Sequence, residues 1–217
     1  DTEVLVECCA RWGVRKTLPS LDGMFAFAAY DRRERVLVLA RDHIGIKPLY
    51  VARTRGAVLF GSELKALFGC PSFAPSIDSE AVATFLRFGY VPGPRSILRE
   101  VEKLEPGTFL TLGVDGAARS ESYYSLRDVA KRGLASTRTG GLAEAADELD
   151  RLLRASVGRQ MVADVPLGAF LSGGIDSSTV VALMQAQSDR PVRTFTIGFA
   201  DREFDEADHA RAIAEHL

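Results

Sequence analysis

From Ser172 to Thr179 the chain reads Ser-Gly-Gly-Ile-Asp-Ser-Ser-Thr, which places two adjacent glycines, several hydroxyls and one carboxylate within a single turn. A short apolar run, 167–171, precedes it, and a stretch patterned as a helix, 177–186, follows. A strand that feeds a glycine turn and opens a helix builds a pocket for an anion. The helix start presents unpaired N–H groups and the positive end of the dipole. Gly173 and Gly174 have no Cβ, so phosphate oxygens can come close to the backbone. Ser172, Ser177, Ser178 and Thr179 add hydroxyl donors, and Asp176 adds a carboxylate. The plainer alternative is a turn that uses Gly-Gly for geometry and Asp176 as an ordinary N-cap.

Competing chemistries fail on spelling. A GxxxxGKS/T phosphate loop needs a lysine, and none follows the two glycines. A GxSxG nucleophile elbow needs glycine where Phe170 stands. The dinucleotide fingerprint GxGxxG is absent. What remains, SGGIDS, resembles the pyrophosphate-binding loop of the ATP pyrophosphatases, which adenylate a substrate and release pyrophosphate.

The elements that must position this loop follow from periodicity. Residues 142–161 place Leu142, Ala145, Leu149, Leu152, Leu153 and Val157 on one stripe of a helix. Strand 167–171, helix 177–186, strand 192–199 and helix 205–217 come next. Strands that alternate with helices imply right-handed crossovers and a parallel sheet, with ligands beyond the carboxyl ends of the strands. SGGIDS closes one strand and Ile197-Gly198-Phe199 the next, so the two ends are expected to be neighbours.

Upstream the pattern differs. Residues 1–12 form a helical stripe of Val4, Leu5, Cys8, Cys9 and Trp12 with Gly13 as a stop, and the two cysteines read as core. Strands are expected over 23–30, 36–40, 49–53 and 57–61, with a turn at 54–56, which implies an antiparallel sheet. Ser62 is expected to cap a helix over 63–68. Asp78 caps a second, with Val82, Phe85, Leu86 and Phe88 on its buried face. The Asp115-Gly116 pair marks a type I′ hairpin between 107–114 and 117–123. His43 reads as structural. Residues 127–141 are polar and contain glycine, and the domain boundary is placed there: 1–126, a linker 127–141, and 142–217.

Composition bounds the rest. With 47% apolar and 26% charged residues in 217, a sizeable core is available. A net charge of −2 gives no electrostatic footprint for nucleic acid or an anionic membrane. No apolar run approaches the roughly 18 residues of a membrane span. Three cysteines, two of them adjacent, are no disulfide framework. A reduced, cytoplasmic protein is expected. Because the chain opens on Asp1 and stops inside a helical pattern at Leu217, it is expected to be an internal fragment.

Several stretches together resemble the glutamine-hydrolysing asparagine synthetases. DTEV from Asp1, GMFAFA from Gly23, ARDHIGIKPLY from Ala40, GSELKAL from Gly61 and FGYVPGPRSI from Phe88 are similar to the later part of their glutaminase domain. DVPLGAFLSGGIDSS from Asp164 and TFTIGF from Thr194 are similar to the start of their synthetase domain. The resemblance implies two domains. The first is the later part of an αββα Ntn-hydrolase-type glutaminase with antiparallel sheets. The second is the start of a parallel-sheet α/β ATP pyrophosphatase domain, of the adenine nucleotide alpha hydrolase-like kind. It further implies that ammonia released from glutamine passes to a site where aspartate is adenylated by ATP and then amidated, with release of AMP and pyrophosphate.

Residue by residue, the resemblance makes Asp1 the acid that binds the glutamine amino group. It makes Ser172, Gly173, Gly174, Asp176 and Ser177 the pyrophosphate loop, and Leu171 with Ile197 and Gly198 the wall for the adenosine. Asp176 is expected to help hold Mg2+, since SGGIDSS itself offers no Lys or Arg against a triphosphate. The partners implied are glutamine, aspartate or another carboxylate acceptor, and ATP; a homodimer is one assembly this allows. Relatives that amidate a different carboxylate share the same loop, and a non-catalytic nucleotide- or partner-binding remnant is a third reading. The family's nucleophile is an N-terminal cysteine, absent here, and Cys8, Cys9 and Cys70 lack the free α-amino group that would serve as base. An arginine and an Asn-Gly pair that precede DTEV, and a second nucleotide loop, also have no match. These residues alone are therefore expected to hold neither complete active site.

Overall fold

The computed structural model describes every residue except Arg55, Arg138, Arg202 and Phe204. The centre of the expected turn at 54–56 and one residue of the expected linker therefore lie outside the described residues. The chain divides into two compact units, Asp1–Thr137 and Arg138–Leu217.

In the first unit Asp1 caps helix α1 (Thr2–Trp12), and Gly13 ends it with φ +77°. The expected core role of this stripe is corrected. No α1 residue is buried; Val4 and Trp12 are exposed, and Cys8 and Cys9 are half-buried. Helix α2 (Val14–Thr17) and a 3-10 turn, Leu18–Ser20, follow and bury Leu18 completely.

Strands β1 (Ala26–Asp31) and β2 (Val36–Arg41) pair antiparallel. The Asp31 carboxylate closes the turn between them by accepting from the Arg33 and Glu34 amides at 2.8 and 3.1 Å. Next come β3 (Tyr50–Thr54), β4 (Ala57–Gly61), α3 (Leu64–Leu67), α4 (Ser79–Phe88), β5 (Val101–Lys103), β6 (Thr108–Gly113) and β7 (Ala118–Ser122). They form two antiparallel sheets, β1-β2-β6-β7 and β4-β3-β5.

The period-2 alternation of the strands explains the layering. Leu39, Leu110 and Leu112 of the first sheet pack with Val51 of the second and with Leu49 and Leu104. Neighbouring positions point the other way. Ala40 and Phe109 meet Leu18, while Ala52 and Val101 meet Leu67, Phe73 and Leu98. Helical segment, sheet, sheet and helical segment thus stack in that order. Helix α4 departs from expectation: Asp78 caps it as predicted, but only Ala81 is buried, and Phe85, Leu86 and Phe88 are exposed. Ser62 caps nothing, and Glu63 occupies the N-cap of α3 without a side-chain bond. The polar stretch after Tyr124 is not wholly irregular either. Ser125 accepts from the Asp128 amide and starts α5 (Leu126–Ala135).

The second unit contains α6 (Leu142–Gln160), β8 (Gly168–Phe170), α7 (Ile175–Gln185), β9 (Arg193–Phe195) and α8 (Ala207–His216). Strands β8 and β9 are parallel, with Ala169 opposite Thr194. Between them α7 supplies the crossover, and Leu171, Val181 and Ala210 form the core with Ala169 and Ile213. The α6 stripe is as patterned, yet no residue of it is buried. Strand β9 stops at Phe195, short of the expected 199.

Candidate functional site: the turn between β8 and α7

Leu171 continues the strand pairing beyond β8. Its amide donates to the Phe195 carbonyl at 2.9 Å, and its own carbonyl accepts from Thr196 Oγ1 at 2.6 Å. The side chain is 2% exposed, worth about 1.5–3 kcal/mol of burial. These bonds pin Leu171 against Phe195 and Thr196, so the two strand ends are neighbours. Ile197 and Gly198 are exposed there.

Helix α7 begins two residues before the expected 177, with Gly174 at its N-cap and no side-chain cap. Its first-turn amides therefore lack the partner that Ser, Thr or Asp at the cap would give. Asp176 lies inside the first turn, exposed, and does not cap the helix. Ser172 and Ser177 face each other across the turn, their hydroxyls 3.0 Å apart, and the Ser172 amide donates to Ser177 Oγ at 3.3 Å. Back-bonding to helix carbonyls is shared by Ser177, whose hydroxyl reaches the Gly174 carbonyl at 3.2 Å, and by Ser178 and Thr179. The hydroxyls of Ser178 and Thr179 bond to the Gly174 and Ile175 carbonyls at 2.7 and 2.8 Å, a common use of such residues within helices.

The two glycines differ in what they permit. Gly173 has φ +84°, and a Cβ there would stand 2.9 Å from His209 Cβ and 3.2 Å from the Ala210 amide nitrogen. Its small size serves the packing of α8. Gly174 has an ordinary φ of −73°, and a Cβ there would meet only Ser172 Oγ at 3.5 Å. The open approach to the turn is at Gly174.

Among the described residues no group of three or more His, Cys, Asp and Glu is placed to hold a metal ion. The donor chemistry is compatible with a magnesium ion all the same. Mg2+ keeps most of its waters and commonly takes one or two carboxylates plus substrate phosphates, and Asp176 offers one exposed carboxylate in the first turn of α7.

In the first unit Asp1 is exposed, and its Oδ1 accepts from the Thr2 amide at 2.6 Å. The sequence reading gave no role to Arg41 and Asp42, and the structure gives them a large one. Asp42 is 1% exposed. Its Oδ1 accepts from the Ile44 and Ile46 amides and its Oδ2 from those of Phe25 and Lys47, at 2.9–3.3 Å. Desolvation pushes this carboxyl up, but the four amides outweigh it and its pKa is lowered. Arg41 donates to the carbonyls of Gly45, Lys47 and Leu104 at 2.6–2.8 Å, and burial lowers its pKa. An acid–base pair closing an apolar strand before a Gly-x-Lys-Pro turn was the available signal. His43 packs edge-on against Phe25, Tyr123 and Tyr124, a structural placement. A cavity of about 610 Å³ in this unit, lined by Arg53, Glu102, Lys103 and Leu110 among others, includes none of the expected site residues.

Residues 1–124 match the family described as Glutamine amidotransferase domain, and the chain belongs to that family. Residues 148–217 match the family described as Asparagine synthase. The protein named asparagine synthetase [glutamine-hydrolyzing] 1 of Bacillus subtilis is 36% identical over 225 residues, covering all of this chain and 33% of its own length. The Homo sapiens asparagine synthetase [glutamine-hydrolyzing] is 28% identical over 229 residues, again covering all of this chain and 37% of its own length. The chain thus spans about a third of these curated relatives. Among solved structures, a glutamine phosphoribosylpyrophosphate amidotransferase from B. subtilis is similar at 21% identity and a TM-score of 0.38, covering all of this chain and 43% of that one. No helix among the described residues is long and apolar enough to cross a membrane.

Proposed function

We propose that this chain serves a glutamine-dependent asparagine synthetase, with residues 1–126 on the glutaminase side, 127–141 as linker and 142–217 as the opening of an ATP pyrophosphatase domain. The observation that carries the reading is the uncapped α7 N-terminus at Gly174, flanked by the paired hydroxyls of Ser172 and Ser177 and by the exposed Ile197-Gly198.

In this reading the β- and γ-phosphates of ATP lie on the first-turn amides of α7. A dipole alone contributes only about 0.3–1 kcal/mol towards an anion, or up to ~2 when partly buried. The two serine hydroxyls exchange their mutual bond for bonds to phosphate oxygens. The adenosine lies along the exposed Ile197 and Gly198, while the buried Leu171 anchors their stretch through the bond from Thr196. Asp176 would help hold Mg2+, which would supply charge neutralisation for the leaving pyrophosphate. The aspartate β-carboxylate attacks the α-phosphorus, the α–β bridging bond breaks, and pyrophosphate departs. Ammonia then attacks the acyl carbon, AMP leaves, and the nitrogen loses a proton to give the amide. The ammonia comes from glutamine hydrolysis, with Asp1 binding the substrate ammonium through a charge-assisted bond. Cys8, Cys9 and Cys70 are free thiols, which supports a cytoplasmic setting.

The test is Asp176→Asn in the protein of the complete reading frame. Acyl-adenylate formation should fall at least about 100-fold, an order set by loss of a charge-stabilising group, while glutamine hydrolysis stays near wild type. Unchanged ATP–pyrophosphate exchange would remove the magnesium role of Asp176. If exchange needs a carboxylate other than aspartate, the site belongs to a relative with a different acceptor.

A further inference from the structure

Two stretches line the proposed nucleotide site, and both rest on the start of α8, one through Asp205 just ahead of the helix and the other through His209 and Ala210 in its first turn. The first contact is through Asp205. Its Oδ1 accepts from the Phe199 amide at 3.3 Å and from the Ala207 amide at 3.2 Å, and it lies 3.6 Å from where a Cβ on Gly198 would stand. The second is at Gly173, whose missing Cβ leaves room for His209 and for the backbone of Ala210. Ala210 is 2% exposed and packs with Leu171 and Val181, so α8 is fixed to the unit's core one turn after Asp205.

The 196–199 stretch needs such an anchor. Strand pairing ends at Phe195, and Thr196 through Phe199 are exposed. The bonds described for the stretch are the Thr196 hydroxyl to Leu171 and the Phe199 amide to Asp205. Neighbouring acids do not share the task. Glu206 makes no side-chain cap bond, and Asp208 pairs with Arg211 at 3.4 Å.

We infer that Asp205 is a positioning residue of the nucleotide site: it ties the adenosine wall at Gly198–Phe199 to α8, and α8 backs the phosphate turn at Gly173, so the spacing of the two walls is set through this carboxylate. The inference rests on the nucleotide reading above. One ionised oxygen shared between two amides is a stronger tie than a neutral acceptor, and a helix N-terminus favours the negative charge.

The test uses the protein of the complete reading frame and follows ATP–pyrophosphate exchange, glutamine hydrolysis and thermal unfolding together. Asp205→Ser leaves the Glu206 N-cap of α8 in place, but its hydroxyl is one bond shorter and releases Phe199. It should raise KM for ATP about tenfold, the equivalent of one charged hydrogen bond, with kcat within about twofold and melting and glutaminase activity unchanged. Asp205→Asn keeps an acceptor oxygen in place and should restore KM to within about threefold of wild type. Glu206→Ala, which removes a charge from the same turn without touching Phe199, should leave KM unaltered. A wild-type KM in Asp205→Ser, or an equal rise in Glu206→Ala, overturns the inference. So does a rise that Asp205→Asn fails to relieve. Ser172→Ala separates the two readings. If it leaves exchange untouched, the nucleotide site itself is misplaced; if it impairs exchange while Asp205→Ser does not, only the role of Asp205 falls.

Discussion

Asp42 shows how a single buried charge organises a loop. Its four amide donors fall two to each oxygen, so Asp42→Asn would turn an NH2 towards two N–H groups. Leaving buried donors unpaired costs about 1–3 kcal/mol, and a loss of about 2–3 kcal/mol at pH 7 is expected. The sign of the pH dependence follows from the lowered folded-state pKa. The carboxylate's contribution is complete above its unfolded value near ~3.9 and is lost as pH falls through the folded one. Acid unfolding of the wild type should therefore steepen below about pH 4, and Asp42→Asn should flatten that limb in a denaturation series across pH.

Asp1 poses the opposite case, an exposed carboxylate that caps α1 in the structure and is proposed to bind glutamine. Asp1→Ser retains a capping oxygen and discards the charge. Glutamine-dependent synthesis should weaken while ammonia-dependent synthesis and melting hold. An equal loss of both syntheses would leave Asp1 with the cap alone. In sequence, the glycines and serines of the turn were visible as a set, but which serine faces out was not. Ser177, Ser178 and Thr179 all bond back to helix carbonyls, and what sets Ser177 apart is the 3.0 Å contact of its hydroxyl with Ser172.

At the level of elements, local signals were sufficient where the local chain decides. Short apolar runs between polar turns marked β2, β3 and β6, and Asp78 marked the start of α4. The Asp115-Gly116 pair marked the β6–β7 hairpin, but the expected type I′ turn is corrected: the loop spans 114–117 and Gly116 is at positive φ while Asp115 is not. Local signals were insufficient where distant contacts decide. Strand β5 is three residues long and exists because it pairs with β3. Amphipathic patterning says which face of α1, α4 or α6 is apolar, and says nothing of whether a covering layer is present; these faces are largely exposed. The Gly-Gly pair carries the sharpest element-scale prediction. Gly173→Ala meets both φ +84° and α8, and should destabilise the second unit by about 2 kcal/mol, the cost of a left-handed residue alone being roughly 1–2. Gly174→Ala should be neutral or nearly so in thermal unfolding, yet should raise KM for ATP, because its methyl stands where the phosphate approaches. Equal effects of the two substitutions on stability would contradict the division of labour between them.

For the whole molecule, the division near Thr137 puts the antiparallel sandwich in one unit and the parallel βαβ element in the other. In the sequence the corresponding signals are the polar, glycine-containing stretch 127–141 and the change from successive short strands to strands that alternate with helices. The amidotransferase match over 1–124 and the asparagine synthase match over 148–217 fall on either side of the same division. In the proposed reading the turn meets the phosphates and not the carboxylate to be activated, so the choice of acceptor is made elsewhere than at the turn. The most direct measurement is therefore ATP–pyrophosphate exchange by the protein of the complete reading frame, with ATP, Mg2+ and aspartate and without glutamine. Exchange should depend on aspartate and be lost with Ser172→Ala or Asp176→Asn. Aspartate-dependent exchange that survives both substitutions would contradict the proposed site.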